Sequence, residues 1–512
     1  MHLSDGWKGL HHLGVTLIES KRFKEALLIY NQILESQPNV YDALVFRGMA
    51  LQGLEKFEEA LINFDRAIAH SSHSHYVWYE RGFTLFKLGK LQEALSSLDI
   101  ATEIQPDYLK ALLLRGIVLL SQKKLEAALI IFEKIILMKP NYSKAWYEKG
   151  LTLYELGKLE DAVTCFDKAI KLNPKKDLAW HHKGIALFDL QKYESALTCF
   201  DKAIEIQPND ANNWYEKGYT LWKIRQLEDA IICFDKAIDY NQKLYLAWYG
   251  KGIALLDLKK LESALICFEK VIEIQPNHPN YLYAVGYVLS ELGNLEDAID
   301  IFYLVIELEP QDWLFQNKLG ITLGQSKRYE EAIAAFDRAI EMSSNNYAAY
   351  GGRGFALYKS ERYEDAILSL DKAIEINPSH YLTWRIYGSV LHKLGRDEEA
   401  LIKFDKAIEL NPDYYHLWGS KAFVLLTLER YEEAILFYDK ALELHPNEPN
   451  ALYEKACCYM GLNNIDLAIV NLKKAIDINP EEFREKATTD LDFDDIRDDV
   501  RFKALFIDPM GW

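Results

Sequence analysis

Four cysteines stand in one repeated phrase. CFDKAI fills residues 165–170, 199–204 and 233–238, and the near copy CFEKVI fills 267–272. A thiol can serve as a nucleophile, as half of a disulfide or as a zinc ligand, and each role needs partners that converge on it. The step between copies is 34 residues every time, so the phrase is first a question of architecture. Two more cysteines, Cys457 and Cys458, are neighbours in a stretch with helical periodicity, which reads as packed thiols rather than a redox centre. Histidine offers the doublets His11-His12 and His181-His182 and a loop cluster of His70, His73 and His75. Adjacent helical residues diverge by about 100°, so a doublet supplies one ligand direction at a time and reads as structural or partner-contacting rather than metal-binding.

The elements that position these groups follow from the period. Cutting the chain every 34 residues from Trp7 gives fourteen blocks ending at Glu482, with no insertion or deletion. Position 8 of the block is Gly in twelve of them, from Gly14 to Gly388, and Ala422 and Ala456 complete the set. Position 20 is Ala in all fourteen. A Gly inside a helix costs about 1 kcal/mol relative to Ala, so something tight must offset it, and two antiparallel helices approaching at the Gly of one and the Ala of the other would do so. In block five, Trp146, Leu153 and Leu156, then Ala162, Phe166, Ala169 and Ile170, recur at helical steps. Gly157 reads as a left-handed cap on the first helix, and Asn173-Pro174 as the end of the second.

This pattern, W-x2-L/K-G-x2-L/Y, an invariant Ala, Phe, Ala and then Pro at period 34, resembles the tetratricopeptide repeat and does so in register from Trp7 to Glu482. The resemblance implies an all-α fold, a right-handed superhelical α-solenoid of antiparallel helix pairs, with first helices lining a concave groove. The expected layout is a lead-in at 1–6, one solenoid at 7–482, and an acidic C-terminal capping helix and tail at 483–512. Apolar positions Phe493, Ile496, Val500 and Leu505 are expected to face the last repeat; the rival reading of this segment is a detachable acidic arm.

Composition narrows the partners. The chain has 77 acids against 59 bases, a net charge of −18, which repels phosphate backbones and anionic lipid and argues against nucleic acid. The most apolar run, ALLLRGIVLL, is broken by Arg115 well short of a membrane span, and MHLSDGWKGLHHLG has neither a basic start nor an apolar leader. Six cysteines without a short-range pairing pattern fit a reducing compartment. A soluble, cytoplasmic protein is expected, with no membrane insertion.

Equivalent points on stacked helices lie roughly 8–10 Å apart, too far for disulfides or convergent zinc ligation along the cysteine ladder. Those thiols therefore read as small half-buried side chains. The Trp at position 4 of seven blocks, Trp78 to Trp418, read as core. No nucleophile with its base, convergent carboxylates or phosphate loop is visible, so no catalytic residue, metal or cofactor is expected.

What remains is the groove. By the resemblance, positions 2, 5, 9, 12 and 13 point into it, which selects Tyr147, Tyr154, His181, Phe188, Tyr215, Tyr219, Trp222, Tyr249, Tyr283 and Tyr287, with Lys144, Lys223, Asp189 and Asp257 adding both signs of charge. The family's carboxylate clamp needs Lys at position 5 and Asn at position 9 of one repeat; Arg385 with Ser389 comes nearest, and a position-6 Asn ladder is absent. The expected function is a non-enzymatic scaffold that holds a protein or peptide segment against this aromatic surface. The alternative is a self-assembling homo-oligomer, and a third reading, RNA binding, disagrees with the period and the acidic charge.

Overall fold

The computed structural model describes residues 6–506, which form helices and short turns with no strand among them. Of the expected lead-in and tail, residues 1–5 and 507–512 lie outside the described residues. From Tyr41 onward each block folds as a first helix of 13 residues and a second of 14, as in Ser143–Glu155 and Leu159–Leu172. The helices fall into two compact units, Met1–Leu258 and Lys259–Trp512. Within each unit, every helix of the fourteen pairs packs against the next, so each unit is an α-solenoid.

One residue per block sets the turn inside each pair. Position 15 has positive φ in all fourteen blocks, Gly89, Gly157, Gly293 and Gly395 in four and residues such as Glu55, Gln191 and Glu361 in the others. At Gly157 the N–H of Lys158 donates to Leu153 O at 2.9 Å, which ties off the last turn of the first helix. The second helix restarts at once, with Ala162 N–H donating to Lys158 O at 3.0 Å. Such a short link favours antiparallel packing of the pair.

The Gly at position 8 has a different neighbour from the one expected. A Cβ on Gly150 would stand 2.7 Å from Cε1 of Phe166, and one on Gly184 would stand 2.6 Å from Cε1 of Phe200. The glycine therefore makes room for the side chain at position 24 of its own block, a ring in most blocks and Leu98 or Leu370 opposite Gly82 and Gly354, rather than for the Ala at position 20. That Ala is fully buried in every block, and its carbonyl comes near only in places, as for Ala230 O at 3.2 Å from a Cβ on Gly218.

In CFDKAI, Cys165 is buried, Phe166 fills the space above Gly150, and Ala169 is buried. Asp167, Asp201 and Asp235 accept from Lys183, Lys217 and Lys251 of the following block at 2.6–2.7 Å. Each of those lysines also lies over a tryptophan of its own helix, Trp180, Trp214 or Trp248, at 5.6–5.9 Å. The phrase thus closes one helix pair and fastens it to the next.

The position-4 tryptophans are half-buried staples, not core. All seven indole N–H groups donate to the carbonyl six residues upstream, from Trp78 to Ser72 O at 2.8 Å through Trp418 to Pro412 O at 2.8 Å. Each bond pins a first helix to the loop that leads into it, and the amphipathic ring suits that wet border.

After the last pair the chain makes three short helices, Pro480–Thr489, Leu491–Ile496 and Val500–Ala504, rather than one capping helix. Asp490 and Asp499 each cap the helix that follows them, accepting from Asp492 N–H and Arg501 N–H, and so restart it in a new direction. Phe483, Phe493, Ile496 and Phe502 are buried against Leu452, Tyr453 and Leu472. Val500 departs from the expected pattern at 80% exposed, and Phe502 takes its place.

Candidate functional site

The first helices of blocks four to eight, all in the first unit, carry the candidate surface. Tyr147 is turned inward and is only 6% exposed. Its ring lies 6.0 Å from Phe166 and 5.6 Å from His182, its hydroxyl is 3.3 Å from His182 Nδ1, and the Lys176 ammonium sits 3.4 Å above its face. It welds adjacent blocks and offers little area to a ligand. His181 is half-buried and bonds through Nδ1 to Oδ1 of the buried Asn213 at 2.7 Å. The doublet therefore splits, with His182 Nδ1 held 2.8 Å from Leu178 O and its pKa lowered by burial.

The remaining rings form two apolar hollows. One, of about 470 Å³, is lined by Leu120, Leu151, Tyr154, His182 and Ile185. Tyr154 is oriented by donating its hydroxyl to Asp189 Oδ2 at 2.6 Å. The other, of about 350 Å³, is walled by Tyr215, Tyr219, Trp222, Tyr249 and Ile253. There Tyr219 stacks on Tyr215 at 6.1 Å and on Trp222 at 5.5 Å, and Phe188 leans on Tyr219 at 5.3 Å. The Trp222 indole donates to Asp257 Oδ2 at 2.8 Å, Arg225 reaches the same oxygen at 3.0 Å, and the Lys223 ammonium lies 4.8 Å over the indole. The two aspartates expected as groove charges thus act as braces that hold rings in place.

Tyr283 and Tyr287 belong to the second unit. Tyr283 packs on Phe302 at 5.8 Å and Phe315 at 5.4 Å, and Tyr287 carries the Lys318 ammonium 4.4 Å over its face.

Two carboxylates escaped the sequence reading. Glu148 and Glu216, at position 6, are pushed up to about 7 by burial, with Lys176 and Lys144 opposing at Glu148 and Asp189 reinforcing at Glu216. The available signal was that Leu114, Ala284 and Ile386 hold this position elsewhere, which marks it as inward-facing.

The cysteines are chemically quiet. All six are buried thiols outside any disulfide, so the ladder lies deeper than expected. Burial pushes the thiols of Cys165, Cys199 and Cys233 up to about 11. Among the described residues, one group could converge on a cation, Cys457 with Asp490 and Asp492, ligand atoms within 4.8 Å. The Cys457 thiol is driven far above its ordinary value by burial and bonds to Asp492, and Asp490 accepts from Tyr453 at 2.6 Å, so the group stands as a closed hydrogen-bonded set. The loop histidines do not converge, with His73 on Ser72 Oγ at 3.4 Å and His75 on the Tyr108 ring at 4.7 Å. No helix among the described residues is long and apolar enough to cross a membrane.

Family models described as Tetratricopeptide repeat match residues 143–176, 178–210 and 245–278, and others so described match stretches within 47–144 and 317–449, residues 199–232 and 267–300, and 425–485. No curated protein matches the chain. Among solved structures, YrrB, described as a TPR protein with an unusual peptide-binding site, is 28% identical over 36% of this chain and 95% of its own, with a TM-score of 0.33. Cut9 with Hcn1, an APC/C hetero-tetramer, is 15% identical over 94% of this chain and 96% of that one, at a TM-score of 0.41. MamA from Desulfovibrio magneticus RS-1 is 22% identical over 33% of this chain and 96% of its own, at 0.31. Period, helix pairing and sequence matches that together run over most of its length converge: the chain belongs to the tetratricopeptide repeat family.

Proposed function

We propose that this protein is a non-enzymatic interaction scaffold that holds a segment of a partner protein against the first-helix surface of its first unit. The observation that carries the reading is the stacked wall of Tyr215, Tyr219 and Trp222 beside a 350 Å³ apolar hollow, with Trp222 braced by Asp257. Rigid aromatic side chains supply contact area at low entropic cost, and pre-positioned rings keep that cost low. Tyr154 and Phe188 extend the surface, and Tyr283 and Tyr287 are offered separately in the second unit. Affinity capture with identification of bound proteins by mass spectrometry tests the reading, with Tyr215→Ala plus Trp222→Ala as control. Loss of captured proteins with helicity intact supports it, and unchanged capture refutes it.

Self-assembly is the second reading, supported by a row of exposed aliphatics at position 22 of consecutive second helices, Leu368 at 67%, Ile402 at 65%, Leu436 at 65% and Val470 at 48%. Light scattering separates the two, since a concentration-independent monomer removes self-assembly.

A further inference from the structure

The second unit holds a hollow of another kind, on the first helices of blocks thirteen and fourteen, Tyr415–Thr427 and Pro449–Gly461. Position 5 of block thirteen is Gly419, and a Cβ there would meet nothing within 4 Å. The space that a ring takes at Tyr215 or Tyr283 is open here. Position 24, a Phe in most blocks, is Tyr438, whose hydroxyl donates to Glu454 Oε2 at 2.7 Å. The result is a cavity of about 240 Å³ walled by Tyr415, His416, Phe423 and Tyr438 and carrying Glu448 and Glu454, with no Lys or Arg in its lining.

The carboxylates are short of counter-charge. Glu448 is 16% exposed, and the imidazole of His445, a ring stacked on Tyr415, lies 3.9 Å from it. Burial raises the Glu454 carboxyl, Tyr438 and the charge of Lys486 oppose this, and Glu448 adds to it. Lys486 itself sits 4.1 Å over the Tyr453 ring. Arg385 acts on His416 and lowers its pKa along with burial, as His445 does, while Glu448 opposes. A shielded carboxylate without a cation is costly, and aromatic faces attract cations.

We propose that this cavity takes one basic side chain of a partner, a lysine or arginine, with its methylene stem along Tyr415 and Phe423 and its charged head between Glu448 and Glu454. The site lies outside the first-unit surface and does not depend on it. Ligand-observed saturation-transfer NMR on the full-length protein tests the proposal, with n-butylammonium and n-butylguanidinium chloride as probes and n-butanol as the uncharged comparison. Saturable binding of a cation is expected, the tighter one identifying lysine or arginine. Glu454→Gln should weaken it about 10-fold, as loss of a charge-assisted contact does, and Gly419→Tyr should abolish it by filling the hollow, with circular dichroism reporting the fold. Absence of saturable cation binding, equal binding of n-butanol, or unchanged affinity in the near-isosteric double variant E448Q/E454Q would overturn it. So would displacement of both cations by equimolar calcium chloride, which would assign the carboxylates to a metal.

Discussion

Adding one methyl group at Gly150 tests what the position-8 glycine is for. On helix propensity alone Gly150→Ala should stabilise the block by about 1 kcal/mol. Against this, the new Cβ would stand 2.7 Å from Phe166 Cε1 and 2.8 Å from Cδ1. Carbon atoms rest at about 3.5–4.0 Å, so the fully buried ring must move by roughly 1 Å, and overpacking of this kind costs about 1–3 kcal/mol. The net expectation is a loss of about 0–2 kcal/mol. Phe166→Ala alone should cost about 3–5 kcal/mol by opening a cavity. In that background Gly150→Ala should become favourable by about 1 kcal/mol, because the methyl enters empty space and the helix gains its propensity. The coupling between the two sites is then about 1–3 kcal/mol. Block thirteen already carries Ala422 opposite Tyr438, where the adjoining hollow leaves the ring room. A repeat array does not unfold in one step, so the readout is native-state hydrogen exchange at the amides of 159–172, not a global melting point. Stabilisation by Gly150→Ala in both backgrounds would refute the idea that the ring dictates the glycine.

Three further expectations follow from the same packing. Gln191 sits at φ 59°, so Gln191→Gly should be neutral to stabilising by up to about 1 kcal/mol, because relief of left-handed strain meets the extra entropy of the unfolded glycine, whereas Gly157→Ala at φ 73° should cost about 1 kcal/mol; urea-dependent exchange in blocks six and five reads both. Glu216 has a folded pKa raised to about 7 by burial and Asp189. Its contribution to stability is present below the ordinary carboxyl pKa and is lost as pH rises through about 7, so Glu216→Gln should flatten that dependence and gain about 1–2 kcal/mol at pH 8; an unchanged pH profile of unfolding contradicts this. Cys165, Cys199 and Cys233, with thiols near 11, should resist a thiol reagent at pH 7 until urea exposes them, and rapid labelling of the native protein would show that the ladder is open.

The sites were legible to different depths. Tyr215, Tyr219 and Trp222 could be placed on one face because helical spacing is a local property, and the structure stacks those rings against one another. Tyr147 stood at the same block position as Tyr215 but is buried, because His182 and Lys176 close over it. Which neighbour covers a ring depends on residues one block away, and no single helix records that. Glu216 and Gly419 were missed for the same reason, since each matters through the side chains facing it from other helices.

The amino-acid order by itself determined the period, the helix pair and its turn, and the family. Those features rest on short-range preferences, on apolar spacing and on a residue repeated at one position of every block. Only the tertiary structure decided that Phe166 is the reason for Gly150, that the tryptophans staple loops, and where the open hollows lie. Each of those depends on atoms brought within van der Waals or hydrogen-bond distance from different helices, where a difference of an ångström separates a filled space from an empty one.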